Sequence, residues 1–258
     1  MKKYIKKNFL LYDFLLKILL ILKRKISLKV LFHNTKKDLV FNLDNLKKIN
    51  EFSNFLPEKT DDIFKYDFRY AIFEELIKLY MDKNPKILEI GTFKGEFANY
   101  LAKKFKNSEV TTIELKETDP RFIQTYGRNN DELRKNFLNN RHKNLQLDNI
   151  KLIEMDSFHL LEVFQKDTFD IIWVDGHHLD PTVSKDLFSS HGLVKKNGFV
   201  VVDDVYKIDP PNPNCSKDSF LVLENLQKEK GIKFYLLNKF VRPTNYKVNP
   251  YIAFFRNI

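Results

Sequence analysis

The chain has 258 residues, 43% of them apolar and 14% aromatic, a composition that supports a packed core and excludes a disordered or fibrous protein. Its one cysteine, Cys215, excludes an internal disulfide and favours a reducing compartment. The net charge of +10 sits wholly at the N-terminus: residues 1–37 hold eleven Lys or Arg against one acid, Asp13, and the remainder holds thirty-three charges of each sign, so a generally basic nucleic-acid-binding domain is a poor reading.

Residues 1–37 form a basic, apolar helical segment. Between Phe9 and Leu22 only Asp13 and Lys17 are polar, and their spacing lets them pair on one side of a helix. The run is too short and interrupted to span a bilayer easily. No small-residue cleavage site follows Lys23-Arg24-Lys25, which speaks against a secretory leader. Two readings stay open. The segment lies on an anionic membrane surface, which places the protein in the cytoplasm at the inner membrane face, or it packs on the rest of the chain or on a second copy in a homo-oligomer.

Residues 38–84 read as a helical lead-in. A short helix is expected around Leu43–Phe55, then a turn at Pro57. Thr60 caps a helix through Met81, with Asp61 and Asp62 suiting its positive end. Ile63, Phe64, Phe68, Ala71, Ile72, Leu76 and Leu79 give it an apolar stripe, and Asn84-Pro85 ends it.

From residue 85 to 258 strands and helices alternate. Strands are expected at 86–90, 109–113, 150–154, 169–174 and 198–202, with two more at 233–237 and 251–255. Helices fall near 96–105, 131–137, 158–164, 181–191 and from the end of a 206–216 loop to Lys230. The runs Ile-Ile-Trp-Val and Phe-Val-Val-Val suit strands buried on both faces. The expected fold is therefore α/β and Rossmann-like: a mostly parallel seven-stranded sheet, helices on both faces, and an N-terminal helical extension. The connection 116–148 is long enough to be a lid, a substrate wall or mere decoration. Asp209-Pro-Pro-Asn212 reads as a loop.

Polar residues fall where the strands end: Glu89 and Gly91 at the first, Glu114 at the second, Asp156 after the third, Asp175 at the fourth, and Asp203 with Asp204 at the fifth. An open parallel sheet binds its ligands at the carboxyl ends of its strands. Any one of these acids alone is explained as a cap or a solvated loop residue; five strands delivering acids to one edge make a site. The first turn, Glu89-Ile-Gly-Thr-Phe-Lys-Gly95, has glycines four apart. It lacks the G-x-G-x-x-G pattern, since Phe93 stands at the middle position, and the chain has no phosphate loop. Glu89 beside the turn disfavours a pyrophosphate and suits a cationic ligand.

These residues resemble class I S-adenosylmethionine-dependent methyltransferases. Ile-Leu-Glu-Ile-Gly-Thr-Phe-Lys-Gly is similar to their first motif, in the form found in metal-dependent O-methyltransferases. Trp-Val-Asp175-Gly-His-His, Asp186-Leu and Gly-Phe-Val-Val-Val-Asp203-Asp204 are similar to the macrocin and sugar O-methyltransferase group. The likeness covers roughly residues 60–258. It implies S-adenosylmethionine as methyl donor, held through Glu89, Gly91, Thr92, Gly95, Glu114, Asp156, Ser157 and Asp175. Within that set, Glu114 would hold the ribose hydroxyls and Asp156 and Ser157 would contact the adenine. It also implies Mg²⁺ bound by Asp175, Asp203 and Asp204, and a small hydroxylated acceptor such as a sugar or glycan unit. Where relatives carry an acid or a lysine just after the first metal ligand, this chain has His177 and His178. Asp175 and His178 are accordingly the candidate catalytic pair, with His178 the candidate base because a histidine titrates near working pH. A metal-independent methyltransferase acting on a nitrogen, a lipid or a nucleic acid stays open, as does a membrane-attached binding module without activity. One stereochemical condition applies to the metal set: adjacent strand residues point to opposite faces, so Asp203 and Asp204 share an ion only if regular strand geometry breaks between them.

Overall fold

The structure, a computed structural model, describes residue 73 and residues 84–238 and 250–258. The N-terminal segment 1–37 and the expected helix at 43–55 lie outside the described residues, as does the 60–81 helix apart from Phe73. The chain divides into two compact units, Met1–Leu76 with Leu237–Tyr251, and Ile77–Leu236 with Ile252–Ile258. All the described residues except Phe73, Leu237, Asn238, Pro250 and Tyr251 belong to the second unit.

The elements run β1 (Lys86–Ile90), α1 (Glu96–Lys104), β2 (Glu109–Glu114), α2 (Pro120–Gln124), α3 (Asp131–Asn144) and β3 (Ile150–Glu154). After a 3₁₀ turn at Ser157–His159 come α4 (Leu160–Val163), β4 (Phe169–Val174), α5 (Thr182–Leu193), β5 (Val194–Val205), α6 (Asp218–Lys230), β6 (Phe234–Asn238) and β7 (Tyr251–Arg256). They build one seven-stranded sheet in the order β3-β2-β1-β4-β5-β7-β6. The pairs β1–β2, β2–β3, β1–β4 and β4–β5 are all parallel. The start of β5 meets the end of β7, where Asn197 donates to the Asn257 carbonyl and Asn257 to that of Gly198, which sets β7 antiparallel to β5. The expected Rossmann-like, mostly parallel seven-stranded sheet is what forms.

Burial explains why the central strands are so apolar. Ile87, Leu88, Ile171, Ile172, Trp173, Val200 and Val201 are fully enclosed, as doubly covered parallel strands require. At the amino edge one side chain ties three strands: Asp170 accepts the Lys86 amide and the Lys195 ammonium, each at 2.8 Å. The fifth strand begins earlier than 198. Its opening Lys195-Lys196-Asn197 is polar because it lies at the margin, and a register shift opposite Phe169–Ile171 absorbs the left-handed Asn197 (φ 66°). The carboxyl edge, by contrast, is left for a site.

Candidate active site

The sheet reverses its winding between β1 and β4, with β2 and β3 to one side and β5 to the other. A crevice forms at the carboxyl ends at such a switch point. Gly91 leaves β1 there with φ +101°, and Asp175 leaves β4 beside it, its amide donating to the Ile90 carbonyl at 2.9 Å.

Below the crevice lies a chain of buried polar groups. Glu89 and Thr112 are register partners on β1 and β2, so their side chains share a face. The Thr112 hydroxyl donates to Glu89 Oε2 at 2.5 Å and lies 2.6 Å from the Thr92 hydroxyl. Thr112 has a single proton and gives it to Glu89, so Thr92 donates to Thr112. Glu89, Thr92 and Thr112 are all nearly inaccessible. A carboxylate survives such burial because it is hydrogen-bonded. Thr112 was invisible to motif reading.

Glu114 closes β2 and braces the first turn. Its Oε2 accepts the Phe93 amide at 3.1 Å and its Oε1 the Leu115 amide at 3.0 Å. Burial pushes its carboxyl above the usual range, while those two amides and the charges of Arg128 and Arg141 act in the opposite direction. Each oxygen keeps lone-pair capacity for a ligand hydroxyl. After β3, Asp156 caps the 3₁₀ turn by accepting the Phe158 amide at 3.0 Å, and Arg121 bridges it to Asp119 at 2.8 and 2.7 Å. Ser157 opens that turn. Gly95 points elsewhere: a Cβ on it would meet Leu145 at 2.7 Å, so its small size serves the packing of α1 on α3.

The 116–148 connection has a packed interior of its own. Phe122 and Phe137 are buried within it, and the Arg128 guanidinium lies 3.8 Å from the Phe122 ring and 4.8 Å from that of Phe137. Arg141, also buried, pairs with Glu117 and reaches Glu154. Phe93 of the first turn packs edge-on against Tyr126 and Phe137, at 5.1 and 5.2 Å between ring centres. Tyr126 is largely exposed and lies within electrostatic reach of Asp175 and Asp204.

On the other side, His178 Nε2 is 3.7 Å from Asp175 Oδ1, both half-buried, and His177 is exposed. Ser216 donates to the His178 carbonyl at 3.1 Å, tying this loop to the one after β5. Asp209-Pro-Pro-Asn212 lies in that second loop, as expected. Asp203 is buried and accepts the Asp204 amide at 2.8 Å, and Asp204 has φ +45°, which breaks strand alternation where the shared-ion reading requires it. Even so, the expected triad of Asp175, Asp203 and Asp204 is not assembled. Among the described residues no group of three His, Cys, Asp or Glu side chains is placed to hold a metal ion. The physical reason lies partly in Asp203, whose Oδ1 is engaged by the backbone amide of the next residue, Asp204.

Residues 88–205 match the family model described as a methyltransferase domain. The chain thus contains a methyltransferase domain, built on a fold it shares with solved O-methyltransferases. It is 28% identical over 215 residues to a tRNA (guanine-N(7)-)-methyltransferase of Mycoplasma capricolum subsp. capricolum, spanning 72% of this chain and 91% of that protein. The fold is similar to that of an O-methyltransferase from Bacillus cereus in complex with SAH (TM-score 0.51, 14% identity, 88% of this chain and 96% of that one). It is also similar to the O-methyltransferase TomG from Streptomyces achromogenes, involved in tomaymycin synthesis, in complex with SAM (TM-score 0.52, 16% identity, 89% and 96%).

Proposed function

We propose that this methyltransferase methylates a hydroxyl oxygen of a small acceptor, a sugar or glycan unit, in the cytoplasm. The observation that carries the reading is the placement of Glu114 and Asp175 at the crevice mouth above the buried Glu89, a run of acids that suits a cationic sulfonium. Glu114 holds the ribose hydroxyls, and Asp156 with Ser157 borders the adenine. The acceptor oxygen attacks the methyl carbon, the carbon–sulfur bond breaks, and its electron pair stays on sulfur. Positioning supplies much of the rate. His178 takes the hydroxyl proton, and Asp175 favours the resulting imidazolium.

Magnesium is the finer part of this proposal. Asp175, Asp203 and Asp204 would hold it, a hard-oxygen set at adjacent strand ends that suits Mg²⁺ over zinc. When bound, the ion would lower the pKa of the acceptor hydroxyl. The left-handed Asp204 supports this reading, and the Asp203 side chain would have to turn away from the Asp204 amide.

The test is transfer of a labelled methyl group from S-adenosylmethionine to a panel of sugars and glycosides, with Mg²⁺ or with EDTA. Labelled sugar that disappears with EDTA supports both parts. Labelled sugar that persists removes the metal alone, and no labelled sugar in either arm removes the acceptor class. A tRNA arm covers the second reading, which the Mycoplasma relative favours and the neutral charge of residues 38–258 opposes. The basic segment 1–37 adds an anionic membrane surface as a partner, tested by flotation with vesicles containing anionic lipid.

A further inference from the structure

Asp186 is a carboxyl for which the transfer chemistry has no use. It sits one turn into α5, is 1% exposed, and neither of its oxygens makes a hydrogen bond of ordinary geometry among the described residues. An unpaired carboxylate in such a place is strongly disfavoured, so the group is held as the neutral acid or meets a partner when the site changes. Its surroundings are specific. A Cβ on Gly176 would lie 3.2 Å from Asp186 Oδ2, so the space beside the first residue after Asp175 is filled by this carboxyl. Burial pushes its carboxyl up to about 7, Asp156 adds to the rise, and the Ser157 hydroxyl works against it. Asp186 therefore stands behind both loops that border the donor: Asp156-Ser157 after β3 and Asp175-Gly176 after β4.

We propose that Asp186 is a positioning residue for the methyl donor: as the neutral acid it sets the spacing between the loops after β3 and β4, and its ionisation disturbs that spacing and weakens donor binding. The inference rests on the donor site, not on the acceptor. Asp156 after β3 is the charge that acts on Asp186, and Asp175, His177 and His178 flank Gly176 after β4; the elements packed against α5 also carry His159 on the 3₁₀ turn, Glu162 on α4, Asp170 on β4, Asp203 and Asp204 on β5, and Asp218 on α6. The experiment must separate the two histidines from Asp186.

The separation comes from the amide. Asp186→Asn keeps the shape and hydrogen-bonding capacity of a neutral acid and cannot ionise. S-adenosylhomocysteine is titrated calorimetrically into the full-length chain at pH 6 and pH 8, as wild type, Asp186→Asn and Asp186→Ala. Wild type should bind about tenfold more weakly at pH 8, as expected for one group ionising near 7. Asp186→Asn should bind at both pH values like wild type at pH 6, and Asp186→Ala weakly at both. Equal pH dependence in wild type and Asp186→Asn overturns the role of Asp186 and leaves the methyltransferase assignment untouched. So does an alanine variant that binds like wild type. If the alanine variant does not fold, the asparagine comparison decides alone. Wild type that fails to bind the probe at either pH overturns the donor site together with this inference.

Discussion

A Cβ placed on Gly91 would stand 2.2 Å from the Asp175 carbonyl oxygen. The two strand ends at the switch point are therefore in backbone contact, and the crevice between β1 and β4 exists at this spacing only because residue 91 has no side chain. Its φ of +101° is a second bar to any other residue. Gly91→Ala should separate β1 from β4 and abolish S-adenosylhomocysteine binding. The control is Gly231→Ala at the end of α6, where φ is +70° and nothing lies within 4 Å of the added carbon. It should cost only the left-handed penalty, about 1 kcal/mol in denaturant unfolding, with binding retained.

Thr112 is the middle of the Glu89–Thr112–Thr92 chain. Thr112→Val keeps shape and β-propensity and removes the hydroxyl, so Glu89 loses a donor and Thr92 an acceptor, all within the core. Loss of one buried partner costs about 1–3 kcal/mol. Urea unfolding should show a loss of that size, and donor affinity should fall as well because Glu89 underlies the first turn. Unchanged stability would mean the three groups are not linked as described.

The sheet was legible because its central strands are apolar runs bounded by turn residues, and the acids stood out because they fall where those runs stop. Other features were hidden for identifiable reasons. Lys195, Lys196 and Asn197 look like a loop, yet they open β5, since the margin of a sheet tolerates polar residues. The helix expected over 131–137 continues to Asn144 because buried Arg141, not an apolar stripe, anchors its second half. Arg128 and Arg141 carry no sequence signal, because what holds them is the set of aromatic rings that the fold places beside them. Thr112 carries no motif. The direction of the Asp203 carboxylate is a matter of side-chain rotation, which residue order does not specify.

The raised Asp186 carboxyl also predicts how stability changes with pH. Its value in the folded chain, about 7, lies above the ordinary 3.8. Between those values the folded state binds the proton and the unfolded state does not, so this contribution is complete below about 3.8 and is lost as pH rises towards 7. Asp186→Asn removes the effect. Relative to the variant, wild type should have a lower melting temperature at pH 8 than at pH 5. A constant difference between the two proteins across that range would show that the carboxyl ionises normally.

His178 lies too far from Asp175, at 3.7 Å, for a hydrogen bond, but near enough for the carboxylate to favour an imidazolium. A base needs that arrangement, since the favourable interaction grows as the proton arrives. A residue that only lines the acceptor pocket does not. The two roles separate in the kinetics of His178→Ala on an acceptor found by the methyl-transfer screen. As a base, His178 predicts a fall in kcat of about 10²–10⁴ and loss of the limb of the pH–rate profile that rises with histidine deprotonation, with S-adenosylhomocysteine affinity retained. Pocket lining predicts a higher KM with kcat and the profile intact. Only the first result keeps His178 in the proton-transfer role, and the second would pass the role of base to Tyr126, a titratable side chain within electrostatic reach of Asp175.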